Sequence, residues 1–253
     1  MKKTKIILWI FLLAISSILD SCKKKDSTAP ETVNNTTPTA QSGNYGIFVS
    51  RKQAIVTNTL ISSFANFSIA FVSSNALIGN NPSIGSLLDL GSVNLNGIIF
   101  QKKAYGASNV YGDSTSSTFN TPHNWAISGS SAVTSFSFSN TDSYPTYTGY
   151  TAIADSFVVS SNVSIPLTNY SGSDEIETYF VTSTNPAINT NIQNITGSPT
   201  NLNFTASDLS VIGVNSNVTL VINFYKNNIQ TINGKAYNFR TGYSLMKSNI
   251  KFK

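Results

Sequence analysis

The chain predicts an all-β fold, built as two immunoglobulin-like or β-sandwich-like domains, and three observations carry this. Apolar and polar residues alternate with period two: Ala65, Phe67, Ile69 and Phe71 against Asn66, Ser68 and Ala70, and Val218, Leu220, Ile222 and Phe224 against Thr219, Val221 and Asn223. Such alternation places one side-chain set on a buried sheet face. Asn96-Gly97 and Asn233-Gly234 each sit between short apolar runs, the signature of a two-residue hairpin. No long stretch carries helical periodicity; the best short helix is Asp208 to Gly213, with Ser207 or Asp208 as its cap.

Lys2, Lys3 and Lys5 precede an apolar run from Ile6 to Ile15, loosened by Ser16 and Ser17. The run is shorter than the roughly 20 residues of a spanning helix and reads as an export signal over residues 1–21. It ends Leu19-Asp20-Ser21-Cys22, and Cys22 is the only cysteine of the chain. This resembles the lipobox of bacterial lipoproteins, with Asp20 standing where a small or apolar residue is usual. The resemblance implies cleavage before Cys22, lipidation of its thiol, and a membrane partner through that lipid.

Residues 22–44 follow as the lipidated Cys and a flexible tether. The stretch holds Pro30, Pro38, many Thr and Asn and no aromatic residue, too little apolar surface to fold. A flexible coil of this length spans about 26 Å. Residues 45–145 are expected to form the first sandwich-like domain. A loop-like texture runs from Ser139 to Ala152, and residues 146–253 form the second. Strands are expected there near 155–160, 163–167, 175–183, 201–206, 217–226, 235–240 and 244–252, a density suited to an immunoglobulin-like sandwich. One continuous sandwich of about 200 residues is the alternative.

Trp125-Ala-Ile-Ser-Gly129, Phe136-Ser-Phe138, Tyr144-Pro145-Thr146-Tyr147 and Gly234-Lys235-Ala236-Tyr237-Asn238-Phe239 follow one another in an order that resembles uncharacterised outer-membrane lipoproteins of the Bacteroidota. The resemblance implies fold and location, and no activity.

Charged residues make up 11% of the chain, and the formal charge is +5. Cutting before Cys22 removes Lys2, Lys3, Lys5 and Asp20 and takes +5 to +3; residues 45–253 alone carry +2. A nucleic-acid partner needs clustered basic residues on one face, so none is expected. Lys247, Lys251 and Lys253 alternate with Met246, Ile250 and Phe252, which suggests a solvated outer strand that resists edge pairing.

Catalytic chemistry is mostly excluded. His123 is the only histidine, and no Gly-x-Ser-x-Gly elbow frames a serine, although Asp113 or Asp142 could complete a triad on paper. Transition metals want several His and Cys ligands, and no cofactor motif is present. Asp174, Glu175 and Glu177 form the densest acidic patch, a weak calcium candidate without the spacing of a dedicated loop. Its bland reading places both glutamates on a wet strand face with Ile176 inward. Glycoside hydrolysis needs two carboxylates flanking one bond. Asp89, Asp113, Asp142, Asp155, Asp174, Glu175, Glu177 and Asp208 are available from residue 45 onward, and nothing in the sequence pairs them.

Binding is better supported. Tyr144, Tyr147 and Tyr150 lie in a loop-like setting beside Asp142, and aromatic faces next to polar groups suit a glycan or an envelope protein. Trp125 opens an apolar strand and reads as core. The expected function is a lipid-anchored envelope binding or structural protein without a catalytic site. A carbohydrate-acting enzyme and an assembly or adhesion subunit are the alternatives.

Overall fold

A computed structural model describes residues 44–57, 59–77, 87–105, 108–113, 117, 119–182 and 193–253. The signal, Cys22 and the tether up to residue 43 lie outside the described residues. The fold is all-β and sandwich-like, as the alternation predicts.

Two long strands organise it. β1 (Asn44–Thr57) and β18 (Lys235–Phe252) pair in parallel over most of their length. Parallel neighbours need a crossover connection, and here the whole intervening chain supplies it. β2 (Leu60–Val72) returns antiparallel on the other side of β1. β16 (Asn215–Lys226) lies antiparallel on the other side of β18. β13 (Glu175–Thr182) and β14 (Gln193–Thr196) extend the sheet beyond β16, while β6 (Ser108–Gly112) and β5 (Gln101–Tyr105) extend it beyond β2. With β10 (Ser156–Phe157) and β17 (Ile229–Ile232) attached to the two ends of β18, the described strands form a ten-stranded sheet.

One face of this sheet carries two apolar cores, set end to end. Towards the start of β1, a four-stranded sheet packs over Phe48, Tyr237 and Phe239. It consists of β3 (Val93–Leu95), β4 (Ile98–Ile99), β7 (His123–Ile127) and β8 (Phe136–Asn140). Trp125 is the largest buried side chain there, edge-on to both Phe48 and Phe100. Towards the end of β1, a second core gathers Ala54, Val56, Leu245 and Phe252 with residues of β13 and β16. It is covered by β11 (Val163–Pro166) paired with β15 (Asn201–Phe204), by β9 (Thr146–Tyr147) paired with β12 (Tyr170–Ser171), and by helix α1 (Ala206–Ser210). Both cores hang on β1 and β18. The boundary expected at 145/146 falls between β8 and β9, where the chain crosses from one core to the other.

Local chemistry explains the turns. Asn96-Gly97 and Asn233-Gly234 all have positive φ, the backbone of the tight hairpin turn that Asn-Gly favours. Thr205, two or three residues earlier than expected, caps α1 and accepts from the Asp208 backbone N–H, while the Asp208 carboxylate accepts from Thr205 N–H. This reciprocal box fixes the helix start. Asn44, assigned to the tether by composition, is the first residue of β1 and is buried.

The lysine-bearing final strand differs most from expectation. β18 lies between β1 and β16 for most of its length and is no outer strand. From Leu220 to Val218, β16 moves two residues while β18 moves three, from Lys247 to Ile250. Asn249, at φ 62°, lies in this bulge. A bulge shifts side-chain parity by one, so Lys247 and Ile250 both face the core side. Lys247 is fully buried, paired with Asp155 at 2.7 Å and donating to the Ile153 carbonyl at 2.5 Å. Lys251 and Lys253 are exposed.

Candidate binding cleft

The core-facing residues of β1 read Phe48, Ser50, Lys52, Ala54, Val56. The apolar ends belong to the two cores, and the polar pair marks the seam between them. Ser50 pairs with Ser68 of β2 and Thr241 of β18, and all three are fully buried. One step along, Lys52 lies beside Tyr243.

The segment joining β8 to β9 is laced across this seam. Asn140 donates its side-chain amide to the Phe239 carbonyl at 3.1 Å, Thr241 donates its hydroxyl to the Ser143 carbonyl at 3.1 Å, and the Tyr144 hydroxyl lies 2.5 Å from Ser50 Oγ. What composition suggests is a linker is therefore a strap tied to both central strands. Beyond it a 3-10 turn (Gly149–Ala152) swings Tyr150 back over the second core.

Strap and seam enclose a cleft of about 540 Å³, within the usual range for small-ligand sites. Lys52 and Tyr243 come from the central strands, Phe119 to Thr121 from the first lobe, and Ser143 to Thr148 with Tyr150 from the strap and the turn after it. The three tyrosines singled out from sequence, Tyr144, Tyr147 and Tyr150, are thus brought together on one cavity. Lys52, Tyr243 and Phe119 are the partners that sequence reasoning missed; Lys52 and Tyr243 lie about a hundred residues away on either side, and only the strand register delivers them, while Phe119 comes from the segment before β7.

The tyrosines differ in role. Tyr147 is 2% exposed and packs on Phe224 with ring centroids 4.9 Å apart, yet its hydroxyl has no hydrogen-bond partner. Burial, with the neighbouring Tyr243 phenol second, pushes its pKa up. Burial likewise raises Tyr144 to about 12, against the opposing bond from Ser50. The phenols are therefore hydrogen-bond donors at neutral pH. The Lys52 ammonium sits over the Tyr144 ring, 4.7 Å from its centroid, a cation–π contact.

His123 lies behind Tyr144, edge-on at 4.9 Å, and is fully buried with neither ring nitrogen in a well-formed hydrogen bond. Burial first and the Lys52 charge second hold its pKa down to about 4, against the pull of the Asp142 backbone and carboxylate. It is a neutral packing residue at pH 7 and is not among the residues that line the cleft. No described aspartate or glutamate lines the cleft.

The acidic patch lies elsewhere. Asp174 pairs with Lys226 at 2.9 Å, Glu175 with Arg240 at 2.9 Å, and Glu177 accepts from Asn223 at 2.9 Å and Tyr225 at 3.3 Å. Each carboxylate of the calcium candidate is thus turned to a nitrogen or phenol donor of its own. Among the described residues no group of three or more His, Cys, Asp or Glu is placed to hold a metal ion. Ile176 points into the core as expected, but Glu175 is buried, not wet.

These glutamates belong to a polar network on the sheet face opposite the two cores. The Tyr225 ring lies 3.6 Å below the Arg240 guanidinium and its hydroxyl accepts from Arg51 at 3.1 Å. A Cβ on Gly242 would meet that ring at 3.0 Å, so the glycine lets Tyr225 lie across β18. The sequence carries no local signal for this network: Arg51 stands in Ser50-Arg51-Lys52-Gln53 and Arg240 before Thr241-Gly242, and only the pairing of β1 with β18 brings them together.

Comparison with protein-family models, with curated proteins and with solved structures finds no match for this chain.

Proposed function

We propose that this chain is a lipid-anchored binding protein of the bacterial cell envelope, holding a glycan in the cleft between its two cores. One observation carries the reading: Tyr144, Tyr147 and Tyr150, from seven consecutive residues, converge with Tyr243 on a cavity whose other walls offer amides and hydroxyls. Aromatic rings present flat apolar faces with polar tips, which suits the two-faced character of a sugar ring. The cleft offers hydrogen-bond donors and stacking surface. It offers no carboxylate pair of the kind glycoside hydrolysis requires, which favours holding over cutting.

The anchor rests on Cys22 and the signal before it. One acyl chain attaches a protein only marginally, whereas two or more give stable attachment at about 0.8 kcal/mol per buried CH₂. Cys22→Ala is expected to move the protein from the membrane fraction to the soluble fraction; retention in the membrane would remove the anchor from the proposal.

The binding claim is tested on a glycan array with the Cys22→Ala chain and its Tyr150→Ala derivative. Tyr150 is half-buried, lining the cleft and packing on the edge of the second core, so thermal melting of the derivative accompanies the array to show that it is folded. Capture of a glycan class by the first chain, reduced in the second, is the expected result. Capture of no glycan, or equal capture by both, would contradict it.

A further inference from the structure

We infer that the glycan this cleft takes is acidic, a saccharide bearing a carboxylate that Lys52 receives. The inference rests on the binding reading above and adds the charge of the ligand. Lys52 is the charged residue among the described lining residues of the cleft, and it is half-buried. Among the described residues the ion pairs fall on Lys102, Lys226, Arg240 and Lys247, and none falls on Lys52. Its ammonium instead rests over the Tyr144 ring. A half-buried lysine whose ammonium meets a cavity without a counter-charge is complementary to an anion, and charge-assisted hydrogen bonds are about twice as strong as neutral ones.

Tyr144 is held in place by Ser50 beneath and Lys52 above, so its ring and the ammonium form one preorganised surface on the cavity. A carboxylate on the ammonium with its sugar ring against Tyr144 uses both. The strap fixes this geometry before any ligand arrives, which reduces the ordering cost of binding.

Titration calorimetry of the Cys22→Ala chain with an oligogalacturonide and with its fully methyl-esterified form separates charge from shape, since the two differ only in the carboxylate. The free acid is expected to bind about tenfold more tightly than the ester. Lys52→Met is expected to erase that ratio, and Tyr150→Ala to weaken both ligands alike. Equal affinity for acid and ester overturns the inference while leaving a neutral-glycan site standing. A preference that survives Lys52→Met also overturns it. Binding of neither ligand, together with a blank glycan array, overturns the binding reading beneath it.

Discussion

The Tyr144 hydroxyl and Ser50 Oγ lie 2.5 Å apart across 94 residues of sequence. This contact joins the strap to the middle of β1, at the row where the two cores give way to polar side chains. Ser50 is fully buried, so Tyr144→Phe leaves a hydroxyl without its partner inside the sheet. Such a loss costs about 1–2 kcal/mol. Adding Ser50→Ala to Tyr144→Phe should cost little more, because both changes remove one bond. Urea midpoints of the two single variants and the double variant check this; additive losses would mean that the bond does not couple strap and sheet.

Lys247 and Asp155 make a second test. The lysine is fully buried and the aspartate more than half exposed. Removing the partner of a buried charge is worse than removing the charge itself. Asp155→Asn should therefore destabilise by about 1–3 kcal/mol, while Lys247→Met, which keeps the volume and drops the charge, should be within about 1 kcal/mol of the parent. The reverse order, read from denaturation midpoints, would show that Lys247 is not held by this pair.

Gly149 sets the shape of the cleft wall. A Cβ there would stand 2.2 Å from the Thr168 carbonyl oxygen and 2.9 Å from Cε2 of Tyr147. The first contact is with backbone, so the turn itself must move. Gly149→Ala should cost about 1–3 kcal/mol and also weaken glycan binding by displacing Tyr147 and Tyr150. A variant as stable as the parent, by thermal melting, would contradict the packing described at this turn.

His123 gives the protein a dependence on acid. Its folded pKa, near 4, lies below the ordinary 6.5. The unfolded chain therefore binds the proton more readily, and the stability due to the neutral buried ring is complete above about pH 6.5. It is lost as pH falls from there towards 4, to the extent of about 1–3 kcal/mol after allowance for screening. His123→Phe keeps an aromatic partner for Tyr144 and removes this loss. Denaturation midpoints at pH 7.5 and pH 5 should thus differ less for the variant than for the parent; equal differences would show that His123 is not the acid-sensitive group.

Much of the fold is legible in the chain because alternation and Asn-Gly turns are local signals. The strands near 163–167, 175–183, 201–206 and 217–226 are seen within a few residues of expectation. Long-range pairing leaves no such mark. The parallel match of β1 with β18 turns two expected strands, 235–240 and 244–252, into one strand of 18 residues, and sets both cores on a shared sheet. The bulge at Asn249 inverts the inside and outside of the lysine strand, a shift of one residue that no period-two count reveals. The cleft was half legible. Tyr144, Tyr147 and Tyr150 stand close together in a turn-rich stretch, whereas Lys52 reads as one more surface lysine until the register sets it beside Tyr243.

The most direct measurement is the hydrogen-exchange footprint of a bound acidic oligosaccharide on the Cys22→Ala chain. Slowed exchange should centre on the amides of residues 143–150, with β1 around Lys52 and β18 around Tyr243. A ligand that binds while these amides exchange as in the free protein, and that instead slows the opposite face around Arg51 and Arg240, would place the site elsewhere and contradict the cleft.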